Sequence, residues 1–581
     1  MLNVETMSLK AFWEAVEQRL VAFSADELRA VLRAMAQETP PTERQAFLAK
    51  LQPMAKMADV VQQVLQQEDL LADIADLRQE IEEEMEQADD WEEQHGWEGE
   101  EYDEEDSLGP YSDFVEPLAD LFDRANAVFD YGNFTLARAA YPQLFAVSEL
   151  EDDYGRGVSA ADLASVNIAE ARARYLRAVY ETEPPAPRSQ VLFEQMRRAQ
   201  LWLARPHLML EDVIQISPQP LPDREDFLRD WIAFLRGQSG GDADAWLREA
   251  IRLAQGTPGL EELARAEGTR RPRAYLDWFA ALEQEDKHRE VLVAAQEALQ
   301  TLPARLPIRA AIADYLCTAA AKLGETEALR AGLWEAFVAK PTLARLLDLW
   351  DAAPGGQEQT RLMQQAAKHV QDYLAHPLVR PEVMGVWEIG DSLEAPAVID
   401  KSVLAHAYMF AEEWDAAHQL AAREEVLGWS SSSNPQGLVV PSFLVLLSGR
   451  RPDALPPNLA QLWRQGLQNS VGFGYAGEGT LTRLERVYTE RLSTVSWSRD
   501  RQERFLAWCL DVAQRRVNAI VSNQHRGSYG KAAVLIAACA EVLCLRGDAR
   551  GADTLLNDVR NRFPRHRSFQ AELKMVVQQR W

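Results

Sequence analysis

Lysine and arginine are absent from residues 80–106, where sixteen of 27 positions are Asp or Glu. Like charge at that density cannot be buried, so the chain on either side is expected to fold separately, with residues 80–111 as a disordered acidic linker. More than half of the net charge of −29 sits in this stretch, which leaves the rest only mildly acidic. Cysteine is scarce too. The four, Cys317, Cys509, Cys539 and Cys544, are too few and too irregularly spaced for a disulfide framework, which points to a reducing cytoplasm. The longest apolar run, residues 438–447, is interrupted by Pro441 and Ser442, and the first ten residues lack a basic-then-apolar order. Neither a membrane span nor a signal peptide is expected. Stretches in which Val or Ile alternate with polar residues are nearly missing, which excludes a β-rich fold and leaves only residues 437–447 ambiguous.

Motifs that carry chemistry are equally sparse. Gly472, Gly474 and Gly477 have the spacing of a dinucleotide fingerprint, but a helical pattern precedes them where a buried strand is needed, so a loop is expected. Residues 527–531 fail as a phosphate loop, because two residues rather than four separate Gly527 from the Gly530-Lys531 pair. Cys539 and Cys544 would lie about 140° apart around a helix and read as packing residues. The nine histidines form no ligand pair, and His406 and His418 read as seam residues of a helical hairpin. Nothing resembles a nucleophile elbow. No catalytic residue, metal ligand or cofactor is therefore assigned, and the chain is expected not to be an enzyme.

What is present is helix. Ser24 with Glu27 and Thr42 with Gln45 fit capping boxes, and apolar residues recur at three and four, which predicts a small helical domain over residues 1–79. Beyond the acidic stretch, Ala125, Gly132, Phe134, Ala137 and Tyr141 stand at offsets 0, 7, 9, 12 and 16. Small residues at such positions let two antiparallel helices approach, the glycine permits a left-handed turn between them, and the aromatics fill the seam. This spacing resembles the tetratricopeptide (TPR) repeat. It recurs at Ala405, Trp414 and Ala417 with Glu412 in the glycine position, at Cys317, Gly324, Ala336 and Pro341, and at Ala540, Gly547, Ala552 and Pro564. The fold expected is all-α: a TPR-like helical-hairpin α-solenoid over residues 112–429. The polar run at 430–437 is expected to separate it from a C-terminal helical domain, residues 430–581.

Two groups of side chains are candidates for binding. Trp91, Trp97 and Tyr102 punctuate the acidic stretch and suit a segment that orders on a protein partner. From residue 499 onward fifteen Lys or Arg face eight Asp or Glu, and Arg515, Arg516, His525, Arg526, Lys531, Arg565 and Arg567 are the candidates for holding an anion. The stretch with Arg516, His525-Arg526, Tyr529, Lys531 and Arg562 through His566 resembles the helical C-terminal region of bacterial SWIM zinc-finger proteins, although no Cys-x-Cys followed by Cys-x-His occurs. Only a helical scaffold is implied. The preferred reading is a cytoplasmic scaffold or adaptor that binds another protein and no membrane. One alternative is an accessory component, or peptidase target, of a prokaryotic CRISPR-type antiviral system; the other is nucleic-acid binding through the basic C-terminus, which the overall acidity disfavours.

Overall fold

The computed structural model describes residues 67–95, 109–152, 155–159, 161–201, 207–304, 306–376, 399–431, 433–471 and 479–578. The domain expected at the N-terminus is outside them as far as residue 66, as are Trp97, Tyr102 and residues 472–478. The described residues form α-helices and three short 3-10 turns, without a strand. The chain falls into two compact units, Met1–Leu263 and Ala264–Trp581.

In the first unit the helices are α1 (Gln67–His95), α2 (Val115–Asp130), α3 (Phe134–Val147), α4 (Ile168–Thr182), α5 (Pro185–Leu201), α6 (Leu210–Gln215), α7 (Arg224–Arg236) and α8 (Gly241–Glu267), the last continuing past the division. Helix α1 corrects the linker expectation. It runs without a break through residue 80, and Leu70, Ile74, Leu77, Ile81 and Met85 form one buried stripe against α2 and α3. The acids Glu80, Glu82, Glu83 and Glu86 take the exposed faces. Crowded like charge forbids burial of the charged side chains, not a helix that keeps them in water. Trp91 lies on this helix. The far end of the expected linker is also ordered: Tyr111 is fully buried and donates to Asp152 Oδ2 at 3.1 Å.

Further along, a carboxylate caps a helix from a distance. Glu249, in α8, is buried and accepts from the first backbone N–H groups of α6, those of Leu210 and Glu211, each at 2.8 Å. Those donors have no partner within their own helix, so a buried acceptor is required there.

The second unit carries α9 (Arg273–Gln284), α10 (His288–Thr301), α11 (Arg309–Leu323), α12 (Thr326–Ala339), α13 (Leu343–Ala352), α14 (Gly356–Ala375), α15 (Lys401–Phe410), α16 (Trp414–Ala422), α17 (Gln436–Ser448), α18 (Pro457–Val471), α19 (Gly479–Leu492), α20 (Arg499–Ser522), α21 (Tyr529–Leu545), α22 (Ala549–Arg562) and α23 (Arg567–Gln578). From α9 to α19 each helix packs on the next, as in a solenoid. The pattern then changes. Helix α21 is surrounded by α17, α18, α20, α22 and α23 and is buried on all sides from Ala532 to Leu543. With the turn before it, Arg526–Leu545, it is long and apolar enough to cross a bilayer, a property the interrupted run at 438–447 had obscured; here the apolar surface is covered by protein. Its one acidic side chain, Glu541, accepts from Asn458 N, Asn458 Nδ2 and Leu459 N at 2.7–3.2 Å and so caps α18 much as Glu249 caps α6.

The repeat resemblance has a structural basis. Six turns among the described residues close in the same way: a residue with positive φ donates to the carbonyl three back, and its successor to the carbonyl five back at 2.8–3.1 Å. This double bond pattern satisfies carbonyls that the end of a helix leaves free. The positive-φ residues are Gly132, Asp286, Gly324, Glu412, Gln524 and Gly547. The four positions singled out by spacing, Gly132, Gly324, Glu412 and Gly547, are among them. In the first hairpin Ala125 and Ala137 have no exposed surface, and Tyr141 donates to Asn126 at 2.8 Å. Asp286 and Gln524 carry no glycine signal, since a polar residue is held there by the turn itself.

The boundary expected at 430 is not a domain boundary. One hydrophobic core runs from Phe337 to Val576 across it. The run at 430–437 looks like a linker because it is polar, but Asn434 donates to the carbonyls of Glu425 and Leu427 at 2.9 and 2.8 Å, and Gln436 to those of Ala421 and Glu424 at 2.9 and 2.8 Å. These amides satisfy one carbonyl of the last turn of α16, that of Ala421, and three in the segment that follows it.

Candidate functional site

One of these amides also holds a wall of a cleft in place. Gln436 Oε1 accepts from Trp429 Nε1 at 3.2 Å and fixes the indole, which is nearly buried. The Arg516 guanidinium, from α20, lies over that ring 4.3 Å from its centroid and donates to the carbonyl of Val426. A cation held against an indole face in low dielectric gains from the ring's quadrupole. Opposite, α17 and α18 cross closely: a Cβ on Gly466 would come within 2.8 Å of the Gly437 carbonyl. Two recesses result, of about 120 and about 210 Å³, both bordered by Trp429, Ser430, Arg516 and Lys531. The smaller also meets Gln465 and Asn469 on α18; the larger meets His525 and Ser528 in the turn before α21.

The charge of this place is unusual for so acidic a chain. No Asp or Glu among the described residues borders either recess. Arg516 is only 7% exposed and has no carboxylate partner among the described residues, and burial draws its pKa down to about 10, so it stays protonated at neutral pH. Three other buried arginines are neutralised: Arg177 meets Glu181 at 2.8 Å, Arg271 meets Glu267 at 2.9 Å and Arg309 meets Glu335 at 2.6 Å. Arg172 and Arg188, like Arg516, are buried and donate to backbone carbonyls, but they border neither recess. A buried cation without a counter-charge is costly, and an anion entering the cleft would offset that cost.

The structure thus sorts the candidates of the basic C-terminus. Arg516, His525 and Lys531 come together around the cleft. Arg515 is on the exposed side of α20 and is paired with Asp511 at 2.8 Å. Arg526 is exposed in the turn before α21 and borders neither recess; Arg565 and Arg567 are exposed where α22 meets α23, also outside it. Trp429, Ser430 and Asn469 escaped the sequence reading. They stand some 50 to 100 residues from the basic cluster, and no local spacing marks them.

Two of the cysteines and two of the histidines pack among the helices. Cys509 and Cys539 are fully buried, and burial pushes the Cys539 thiol up to about 12. His418 packs edge-on to Trp508, with ring centroids 4.7 Å apart, and His406 is enclosed with Phe410 and Tyr488.

No protein-family model matches the chain, the region resembling SWIM proteins included, and no curated protein matches it. Among solved structures it is similar to Naa15/Naa10 bound to HypK-THB, at 11% identity over 80% of this chain and 67% of that one, with a TM-score of 0.20. It is also similar to a circular tandem repeat protein with novel repeat topology and enhanced subunit contact surfaces, at 12% identity over 89% and 95% of the two chains, with a TM-score of 0.15.

Proposed function

We propose that this chain is a non-enzymatic helical-repeat scaffold that binds another protein in the cytoplasm. The observation that carries the reading is the succession of helices α9 to α19, each packed on the next and several joined by the same turn. Such an arrangement buries the seam of every hairpin and leaves a continuous series of outer helix faces, the kind of surface on which a partner is held over many weak contacts. The nucleic-acid alternative loses part of its basis. Arg501 and Arg504 both pair with Asp415, Arg499 with Glu503 and Arg515 with Asp511, so much of the basic block at the start of α20 is already neutralised.

The test is reconstitution. The tagged full-length chain is crosslinked in its own cells, the captured protein is purified separately, and the two are mixed at known concentration. A complex of fixed stoichiometry, with hydrogen exchange slowed on helices of the second unit, is the expected result. A chain that forms no complex with any purified candidate, or that turns over a substrate by itself, refutes the scaffold reading.

A further inference from the structure

We propose that the cleft between Trp429, Arg516 and Lys531 receives a phosphoryl group displayed on a segment of the protein partner. The inference rests on the scaffold reading for the existence of a partner and on the cleft alone for the chemistry. Three properties point to a small oxyanion. Arg516 is buried, has no carboxylate partner among the described residues and borders both recesses, whereas Arg172 and Arg188, which are also buried and donate to backbone carbonyls, border neither. Lys531, exposed at the start of α21, adds a second cation with no ion pair among the described residues. No carboxylate among the described residues borders either recess, so nothing there repels an anion.

The geometry favours phosphoryl over carboxylate. A carboxylate is planar and is satisfied by one guanidinium fork. Here part of the Arg516 fork is committed to the Val426 carbonyl, and the other donors come from separate elements: Lys531 and Ser528 at the start of α21, Ser430 after α16, and Asn469 on α18. Donors distributed around a recess suit a group with three acceptor oxygens in three dimensions. The recesses, about 120 and about 210 Å³, are of a size for one such group and its side chain rather than for a polymer backbone.

The experiment uses the full-length chain and four probes in calorimetric titration: a short blocked phosphoserine peptide, its serine and glutamate counterparts, and a single-stranded oligonucleotide. Saturable one-to-one binding of the phosphoserine peptide is expected, with the serine peptide silent and the glutamate peptide weaker. Lys531→Glu should weaken the phosphopeptide by about tenfold or more, the worth of one charge-assisted contact. Lys531 is exposed, so this variant is expected to fold, and Ser528→Ala gives a second, smaller loss in the same direction. Equal affinity for the glutamate peptide, tighter binding of the oligonucleotide, absence of saturation, or an unchanged Lys531→Glu variant would each overturn the proposal. Partner retention separates the two readings. If Lys531→Glu loses the reconstituted partner, the cleft is its docking point; if the partner stays bound, the cleft proposal falls and the scaffold stands.

Discussion

Acidifying the protein from pH 7 to pH 5 should destabilise the second unit through one side chain, His406. It has no exposed surface, its Nδ1 lies 2.7 Å from the Tyr488 hydroxyl, and Nε2 has no hydrogen-bond partner. Burial lowers its pKa to about 3, against about 6.5 in an unfolded chain. Between those values the unfolded chain binds a proton that the native one refuses, so stability is complete above pH 6.5 and declines as pH falls below it. The slope is about 1.4 kcal/mol per pH unit, or about 2 kcal/mol on reaching pH 5. Glu249, in the first unit, works in the opposite sense. Burial raises its pKa to about 7, so the native state takes up a proton before the unfolded chain does and its contribution improves as pH falls from about 7 towards the ordinary carboxylate range. The total response of the wild type is therefore not diagnostic. The informative quantity is the difference between wild type and His406→Phe, which loses the Tyr488 hydrogen bond at every pH but has no proton to gain. Urea unfolding followed by circular dichroism at pH 7, 6 and 5 should show the wild type losing about 2 kcal/mol more than the variant. Parallel slopes for the two proteins, or a histidine ring resonance of His406 with a midpoint between pH 5 and 7, would refute the reasoning.

Three further outcomes are expected from the same denaturation measurement. Gly324 has φ +72 and open space around a would-be Cβ, so Gly324→Ala should cost about 1 kcal/mol for backbone reasons alone, whereas Gln524→Gly at φ +56 should gain somewhat less than that; the opposite signs would show that the shared turn does not set these conformations. Glu541→Gln sets an amide NH₂ against donors of Asn458 and Leu459 and should cost about 2 kcal/mol, and a neutral result would mean that the N-terminus of α18 is capped by something else. Asn434→Ala strips a donor from the carbonyls of Glu425 and Leu427 and should cost about 1 kcal/mol, together with faster proteolysis between α16 and α17; unchanged stability would restore the reading of that stretch as a linker.

The hairpins were legible because their cause is local. A glycine seven residues after a small residue states the turn, with an aromatic two further on in the first hairpin (Phe134) to state the seam, and Gly132, Gly324 and Gly547 all take the left-handed conformation that such a turn needs. Glu412 was found by its neighbours' spacing rather than by its own identity. Asp286 and Gln524 were not found, because a turn closed by two backbone hydrogen bonds imposes a positive φ on whatever residue sits there. The acidic stretch misled for a related reason. Composition counts charges without regard to face, and the stripe from Leu70 to Met85 was diluted by the acids between its members.

By itself, then, the sequence determined the helical class, the position of four of the six shared turns and the packing of His406 and Cys539 in the core, since each follows from periodicity or polarity within about one helical turn. Only the tertiary structure decided that Asn434 and Gln436 satisfy carbonyls within one continuous core rather than mark a joint, that an apolar helix able to cross a bilayer is the centre of a bundle, and that three of seven basic candidates share a cleft with Trp429. Those outcomes depend on partners many residues away, where the free energy of satisfying a carbonyl or covering an apolar face is set by what packs against it.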